Sequence, residues 1–174
     1  RALYAGLANY SVEQTREASA ILRRLGTPCV IHQPRYSMLD RHIEAGLLDT
    51  LAEEGMGCIA FSPLAQGILT ERYLASAIPA DSRAARGAFL KSSDITPGRL
   101  AVVRRLKALA DARGQSLPQL ALSWVLRHAG MPSVLVGASR LAQIDDALGA
   151  ANGAALTDDE LAIVEQALQL EQQA

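Results

Sequence analysis

Four short apolar runs, each followed by a helix-like segment, are the feature that most constrains the fold. The runs cover residues 2–7, 29–32, 57–61 and 133–137, and small or apolar side chains dominate them. The connections between successive runs are much longer than a hairpin turn. Neighbouring strands should therefore pair in parallel, with helices covering the sheet. The pattern predicts an α/β fold.

Capping signals predict where several helices begin and end. Ser11 and Gln14 have capping-box spacing, and the helix that they open should stop near Gly26, where a left-handed residue is needed. Ser116 and Gln119 have the same spacing at the start of a later helix. Helical patterns also cover residues 44–54, residues 97–112 and the segment that follows residue 157.

Residues 78–98 are rich in Pro, Ser, Gly, Asp and Arg and have no clear period, so they are predicted to form a long loop. Such a loop is either a lid over a substrate site or a disordered segment, and the sequence leaves both open. The whole chain, residues 1–174, is interpreted as a single domain.

The charge balance and hydropathy exclude two classes of protein. The chain has 17 Lys and Arg against 18 Asp and Glu, a formal net charge of −1, so it lacks the basic excess that attracts nucleic acid. No apolar run approaches the roughly 20 residues of a membrane-spanning helix. We therefore expect neither a nucleic-acid partner nor a membrane partner.

The two cysteines, Cys29 and Cys58, each lie inside an apolar run and lack the spacing of a metal site. We expect no metal, and we expect buried, reduced thiols in a cytoplasmic protein. The first residues show neither a methionine nor a secretory signal. Because the chain opens within a strand-like run, we expect it to lack an upstream part.

Polar and aromatic residues follow all four predicted strands, where the functional residues of parallel α/β folds are found. Asn9 and Gln33 offer amides that bond to another amide, and Phe61 offers a face for stacking on a flat ring. Small residues, hydroxyls and an arginine occur at 62–67 and 137–140, beside predicted helix starts, which suits phosphate. Together these residues suit a nucleotide.

Each of these residues also has a structural explanation. Asn9 is equally typical of a turn or a cap, and Gln33 could bond only to loop carbonyls. Phe61 could belong to the core. The segment at 137–140 could be an ordinary helix cap in which Arg140 is solvated.

The order of the segments adds a resemblance to a known family. Residues 6–11, 32–41, 61–70 and 137–143 closely resemble the ends of the fifth to eighth strands of the aldo-keto reductases, and the resemblance covers essentially the whole chain. Within the family, the chain is most similar to the branch with L-glyceraldehyde 3-phosphate reductase and the potassium-channel beta subunits. The fold implied is the C-terminal half, about four βα units, of a (β/α)8 TIM barrel.

The activity implied by the resemblance is NADPH-dependent reduction of a small aldehyde or ketone. The residues implied to bind NADP are Asn9, Gln33 and Phe61 at the nicotinamide, then Ser62, Leu64, Gln66, Gly67, Arg72 and Arg83 along the pyrophosphate, and finally Gly137, Ser139, Arg140, Gln143 and Asp146 toward the 2′-phosphate and adenine. For Arg72 and Arg83 a solvated loop charge is an equal alternative. Ala8 and Ala147 replace polar residues usual in the family, which predicts weaker cofactor binding.

No catalytic residue is assigned, because the family's catalytic Asp, Tyr, Lys and His come from the first four strands, which the resemblance does not cover. Three hypotheses follow. The chain is the cofactor-binding half of a reductase and inactive alone, a non-catalytic nucleotide-binding half barrel, or a half barrel that pairs with itself or with a missing N-terminal half.

Overall fold

The four apolar runs of the sequence form the four strands of one sheet. The structure, a computed structural model, describes residues 3–75, 82–87 and 90–170, except for the side chains of Arg83 and Arg86. The strands in these residues are β1 (Ala5–Ala8), β2 (Cys29–Gln33), β3 (Gly57–Ala60) and β4 (Ser133–Val134). The α-helices in them are α1 (Val12–Arg24), α2 (Leu47–Glu54), α3 (Arg83–Arg86), α4 (Pro97–Ala112), α5 (Leu117–Val125), α6 (Leu141–Leu148) and α7 (Asp158–Gln169).

The sheet is parallel throughout, with the strand order β1-β2-β3-β4. Leu7 lies beside His32, and His32 in turn lies beside Cys58. Successive strands are therefore neighbours, and long connections that contain the helices join them. The predicted α/β fold with a parallel sheet is confirmed.

The predicted capping interactions are present. The Ser11 N–H donates to the side-chain oxygen of Gln14 at 2.9 Å, and the Gln14 N–H donates to the Ser11 hydroxyl at 3.2 Å. After α1, Gly26 takes a φ of 72°, the left-handed conformation expected at a helix end. Ser116 and Gln119 form the same reciprocal pair, with both distances 3.2 Å.

Several elements differ in their bounds from the sequence prediction, including β1, which covers Ala5–Ala8 and not 2–7, and β3, which ends at Ala60 and not at Phe61. The helix expected over 44–54 begins only at Leu47, because Gly46 has a φ of 96° and separates α2 from a 3-10 turn at His42–Glu44. The strand expected over 133–137 ends at Val134, although the Leu135 N–H still donates to the carbonyl of Ala60 at 2.8 Å.

The predicted long loop at 78–98 falls partly outside the described residues, which exclude 76–81 and 88–89. The described part contains α3 and a 3-10 turn at Ser92–Asp94, and the Thr96 hydroxyl caps α4. These elements depend on local capping chemistry, which the composition of the segment does not reveal. The loop as a whole stays a prediction.

The chain divides into two compact units. The first comprises 1–63 and 125–136 and contains the whole sheet with α1 and α2; the second comprises 64–124 and 137–174 and contains α3 to α7 apart from the last residue of α5. The core of the first unit includes Tyr36, Met38, Ile43, Leu51 and Cys58, and that of the second includes Val102, Leu106, Leu120, Trp124 and Val164. Cys29 and Cys58 are buried free thiols, as expected.

Two classes of feature are missing from the described part of the chain. No helix there is long and apolar enough to cross a membrane. No group of three or more His, Cys, Asp or Glu side chains in it could hold a metal ion.

Candidate functional site

Three residues predicted from the sequence lie together in the first unit, at the carboxyl ends of neighbouring strands. Asn9 follows β1, Gln33 ends β2 and Phe61 follows β3. The Asn9 N–H donates to the carbonyl of Gln33 at 3.2 Å, and the Phe61 N–H donates to that of Pro34 at 3.0 Å. We refer to Asn9, Gln33 and Phe61 as the strand-end set. Backbone hydrogen bonds thus hold the set in a fixed order across the carboxyl ends of the strands.

Asn9 has a left-handed backbone, with a φ of 55°, which asparagine tolerates better than most residues. Its side-chain oxygen accepts the backbone N–H of Arg35 at 3.3 Å. This bond orients the amide, so the Nδ2 group is the part that can donate to a ligand. The residue is exposed, whereas Gln33 and Phe61 are half-buried.

His32, which the sequence reasoning did not single out, lies directly before Gln33 and is fully buried. Its Nε2 accepts the backbone N–H of Tyr10 at 3.3 Å, so the bond fastens the residue after Asn9 to β2. Burial lowers the pKa of this imidazole. The ring is therefore neutral at pH 7, with its proton on Nδ1. The only sequence signal for this role is its position beside Gln33.

The turn after β3 is strained. Ser62, Ala65 and Gln66 have φ values of 54°, 46° and 61°, although none of them is glycine, and Gly67 follows at 97°. Backbone conformations of this kind cost of order 1–3 kcal/mol each and cluster at functional sites. The carbonyl of Gly67 accepts the hydroxyl of Thr70 at 2.7 Å, which fixes the end of the turn.

The other predicted residues belong to this turn and to the segment after it. Ser62, Leu64, Gln66 and Gly67 are all half-buried. Arg72 is half-buried too, and its backbone N–H donates to the Thr70 hydroxyl at 3.2 Å. Arg83 begins α3, but its side chain lies outside what the structure describes.

In the second unit, Gly137, Ser139 and Arg140 precede α6 and are exposed. The side-chain oxygen of Gln143 accepts the backbone N–H groups of Ser139 at 2.8 Å and of Arg140 at 3.2 Å. Gln143 therefore caps the start of its own helix. The side chain of Arg140 extends from this capped helix start.

Asp146 makes contacts within the second unit that the sequence did not predict. Its carboxylate accepts the Ser116 hydroxyl and the Gln119 amide, both at 3.0 Å, and its carbonyl accepts the same amide at 3.0 Å. Asp146 thus joins α6 to the start of α5. Gly149 permits this contact, because a Cβ there would lie 2.3 Å from the Gln119 amide nitrogen. A role at the adenine remains a prediction.

An open pocket of about 440 Å³ in the second unit lies between the turn from α4 to α5 and residues 149–154. Arg113 lines it and pairs with Glu160, with the amide of Gln115 at 2.8 Å and with the carbonyl of Ala154 at 2.6 Å. None of the residues predicted to bind the cofactor lines this pocket.

A group of titratable residues in the first unit was also missed: Tyr36, Arg41, Glu44, Arg127 and His128, called here the Tyr36 cluster. The fully buried hydroxyl of Tyr36 bonds to the Glu44 carboxylate, to Nε2 of His128 at 2.9 Å and to Arg127 at 3.0 Å. Sequence periodicity could not find it, because Tyr36 and Arg127 are 91 residues apart.

The charges of the Tyr36 cluster complement one another. Burial opposes the charge of Glu44, but hydrogen bonds from Arg41, Tyr36 and Arg127 outweigh it and lower the pKa of this carboxyl to about 2. Burial is the main cause that raises the pKa of the Tyr36 hydroxyl, and the hydrogen bond to Glu44 raises it further. Burial is also the main cause that lowers the pKa of His128, and the positive charge of Arg127 lowers it further. At pH 7 the tyrosine and histidine are neutral beside a charged glutamate.

Comparison with known proteins gives a consistent result. A model described as "Aldo/keto reductase family" matches residues 1–169. The chain is 44% identical over 171 residues to L-glyceraldehyde 3-phosphate reductase of Escherichia coli (strain K12), which covers 95% of this chain and 49% of that protein.

Two plant proteins are also similar, each described as a probable voltage-gated potassium channel subunit beta. The one from Arabidopsis thaliana is 36% identical over 149 residues, 83% of this chain and 45% of that protein. The one from Oryza sativa subsp. japonica is 35% identical over 147 residues, 82% of this chain and 45% of that protein. The chain thus spans about half the length of the curated relatives that it matches.

Proposed function

The chain belongs to the aldo/keto reductase family, and from that premise we propose that it is the NADPH-binding part of an enzyme that reduces small aldehydes or ketones. The observation that carries the proposal is the strand-end set. Asn9, Gln33 and Phe61 lie at neighbouring strand ends of a parallel sheet, joined through backbone hydrogen bonds. This edge is where ligands bind in parallel α/β folds.

The strand-end set suits a nicotinamide. The ring carries a carboxamide, which needs both a donor and an acceptor, and Asn9 offers its Nδ2 group while Gln33 offers a whole amide. Phe61 offers a face against which the ring can stack. When bound, NADPH supplies the hydride. The residues of this chain bind and orient the ring, and no proton donor is assigned to them.

The remaining residues are proposed to bind the phosphates. The turn from Ser62 to Gly67 follows β3 with an unusual backbone that suits pyrophosphate. Arg72 and Arg83 belong to the segment after it. In the second unit, exposed Ser139 and Arg140 suit the 2′-phosphate, since arginine stays charged and donates two parallel bonds. NADPH is therefore proposed over NADH.

For the polypeptide as a whole we propose the C-terminal half of a (β/α)8 TIM barrel. Support comes from the number of βα units, the parallel order of the strands and the extent of the match, which spans about half of the relatives. A complete barrel has eight strands and usually about 250 residues. The partner that this proposal requires is an N-terminal half or a second copy of the chain.

The substrate class rests on one relative. L-glyceraldehyde 3-phosphate reductase, by its name, reduces an aldehyde, and this is the reason for proposing small aldehydes or ketones here. A cytoplasmic location is proposed because both buried thiols are free, as in reducing compartments.

A second candidate function is nucleotide binding without reduction, favoured because none of the tyrosines or histidines of this sequence is assigned a catalytic role. A titration of the chain with NADPH, followed by nucleotide fluorescence, tests the binding that both candidates share. Saturable binding that Asn9→Ala weakens supports the site. A folded chain or assembly that binds no NADPH up to millimolar concentration contradicts both.

A further inference from the structure

Tyr36 connects the strand-end set to the buried interior of the first unit. Its backbone N–H donates to the carbonyl of Phe61 at 3.2 Å, and it lies three residues after Gln33. Arg35, between them, pairs with Phe61 in an isolated bridge. The backbone of Tyr36 is thus bonded to one member of the strand-end set and continuous with a second.

The side chain of Tyr36 points into a group of partners from separate parts of the unit. Glu44 lies in the turn before α2, while Arg127 and His128 lie between α5 and β4. Arg127 also bonds to the Glu44 carboxylate at 3.1 Å. Tyr36 is fully buried and its three partners are half-buried, and this connected set of bonds fixes the position of the tyrosine ring.

The Glu44 carboxylate is itself held from its other side. Arg41 donates to its second oxygen from Nε at 2.9 Å and from a terminal nitrogen at 2.6 Å. Because Tyr36 and Arg127 bond to one oxygen of the carboxylate and Arg41 bonds to the other, the bonds orient the carboxylate as well as attracting it. The tyrosine hydroxyl therefore bonds to an acceptor that cannot easily rotate.

We propose that Tyr36 is a positioning residue for the nicotinamide end of the site: its hydroxyl, held by Glu44 and its neighbours, fixes the backbone that carries Gln33 and contacts Phe61. The inference rests on the proposed function. Without the hydroxyl, the segment from 33 to 36 keeps its backbone bonds to Asn9 and Phe61 but loses the anchor of the Tyr36 ring, and the Gln33 amide samples more orientations. Binding of a ligand that uses this amide then loses affinity, because ordering the amide now accompanies binding.

The test compares two ligands that share an adenosine with 2′- and 5′-phosphate groups but differ in the nicotinamide half, which only one of them has. NADPH contains both groups, whereas 2′,5′-ADP retains the adenosine 2′-phosphate and lacks the ring. We expect Tyr36→Phe to raise the Kd of NADPH by about tenfold, the size of one lost hydrogen bond. We expect the Kd of 2′,5′-ADP to change by less than about twofold. Tyr4→Phe, the same chemical change at a side chain that is 75% exposed, should alter neither.

Amide hydrogen exchange gives a second measurement that needs no ligand. In Tyr36→Phe, the N–H groups of Tyr36 and Phe61, which bond across the strand ends, should exchange faster, while that of Met56, bonded at 2.8 Å to Leu51, should not. Faster exchange at all three would indicate general loosening and overturn a local role. If Tyr36→Phe does not fold, Glu44→Gln is tested in its place with the same expected results.

Each outcome decides the matter. An unchanged Kd for NADPH in Tyr36→Phe overturns the inference, and so does equal weakening of NADPH and 2′,5′-ADP. If the parent chain binds no NADPH, the proposed function fails first and the positioning role fails with it. That case is distinct, because the parent and not the variant shows the defect.

Discussion

The backbone N–H of Arg35 donates to the side-chain oxygen of Asn9 at 3.3 Å. The two residues follow successive strands, so the bond connects the end of β1 to the end of β2. It also distinguishes the two ends of the Asn9 amide, since the oxygen is occupied and Nδ2 is the donor offered outward. A single side chain thus combines a structural bond with the group that is proposed to bind the nicotinamide.

Substitution of Asn9 should separate these two roles. Asn9→Asp keeps an acceptor for Arg35 and tolerates the left-handed backbone, but it loses the Nδ2 donor. We expect NADPH affinity to fall by about tenfold while the free energy of unfolding changes by less than about 1 kcal/mol. Fluorescence titration and urea denaturation measure the two quantities.

Asn9→Ala is the comparison for this prediction. It loses the acceptor as well and places alanine at a φ of 55°, so it should also destabilise the chain by about 1–2 kcal/mol. An Asn9→Asp variant that binds NADPH as tightly as the parent would remove the amide donor from the nicotinamide site.

Local features of this fold could be predicted from the sequence, and long-range ones could not. The helix opened by Ser11 was predicted because its cap lies within three residues of its partner. The strand-end set was identified because each member lies at the end of an apolar run or within two residues after it. The bonds of Tyr36 to Arg127 and of Asp146 to Ser116 join residues 91 and 30 positions apart, which periodicity does not reveal.

Arg140 should distinguish NADPH from NADH, because only NADPH carries the 2′-phosphate. In a folded assembly of the chain, Arg140→Ala is expected to weaken the binding of NADPH by roughly 1.5–3 kcal/mol and to weaken that of NADH far less. Titration with both nucleotides by fluorescence measures this difference. Arg105→Ala, at an exposed position on α4, is the matched control and should affect neither. Equal weakening of the two nucleotides would exclude Arg140 from the 2′-phosphate site.

The free energy of unfolding should decrease as the pH is lowered, because Glu44 then becomes protonated. Its pKa is lowered from a usual value of 4.5 to about 2, so the folded state binds this proton less readily than the unfolded state. The stabilisation is present above about pH 4.5 and is lost as the pH falls toward 2. After allowance for partial exposure it should be on the order of 1–2 kcal/mol.

Urea denaturation at pH 6 and pH 3 of the parent and of Glu44→Gln measures this contribution. The variant should show a smaller loss of stability between the two pH values, because its amide does not titrate. Glu17→Gln, at an exposed position on α1, should lose as much as the parent. The same pH dependence in all three proteins would contradict the assignment to Glu44.

The chain alone should not reduce carbonyl compounds. The strand-end set is proposed to bind and orient a ring, but no residue of the chain is assigned to donate the proton that must accompany hydride transfer. Oxidation of NADPH with methylglyoxal or glyceraldehyde as substrate, followed by absorbance, tests this. Turnover of about 1 per second or more, in the range of ordinary enzymes, would show that a donor is present.

The last prediction concerns the two edges of the sheet. Within the described residues, β1 pairs only with β2, and β4 pairs only with β3. Leu3 and Tyr4, before β1, are 91% and 75% exposed, and Leu135 and Val136, after β4, are 45% and 37% exposed. Open strand edges with apolar neighbours favour pairing with another chain. We therefore expect the chain to associate with itself, bind a complementary half, aggregate or remain loosely packed.

Sedimentation at micromolar concentration, together with near-UV circular dichroism, tests this expectation. Covering the apolar surface at about 25 cal/mol per Å² contributes several kcal/mol, a large fraction of the roughly 5–15 kcal/mol that stabilises a domain. Leu135→Lys, which places a charge at an edge, should reduce association. Leu25→Lys is the control, because Leu25 is 70% exposed at the end of α1 and belongs to neither edge strand. A parent chain that sediments as a sharp monomer, with a fixed near-UV signal from buried Trp124, would contradict the prediction.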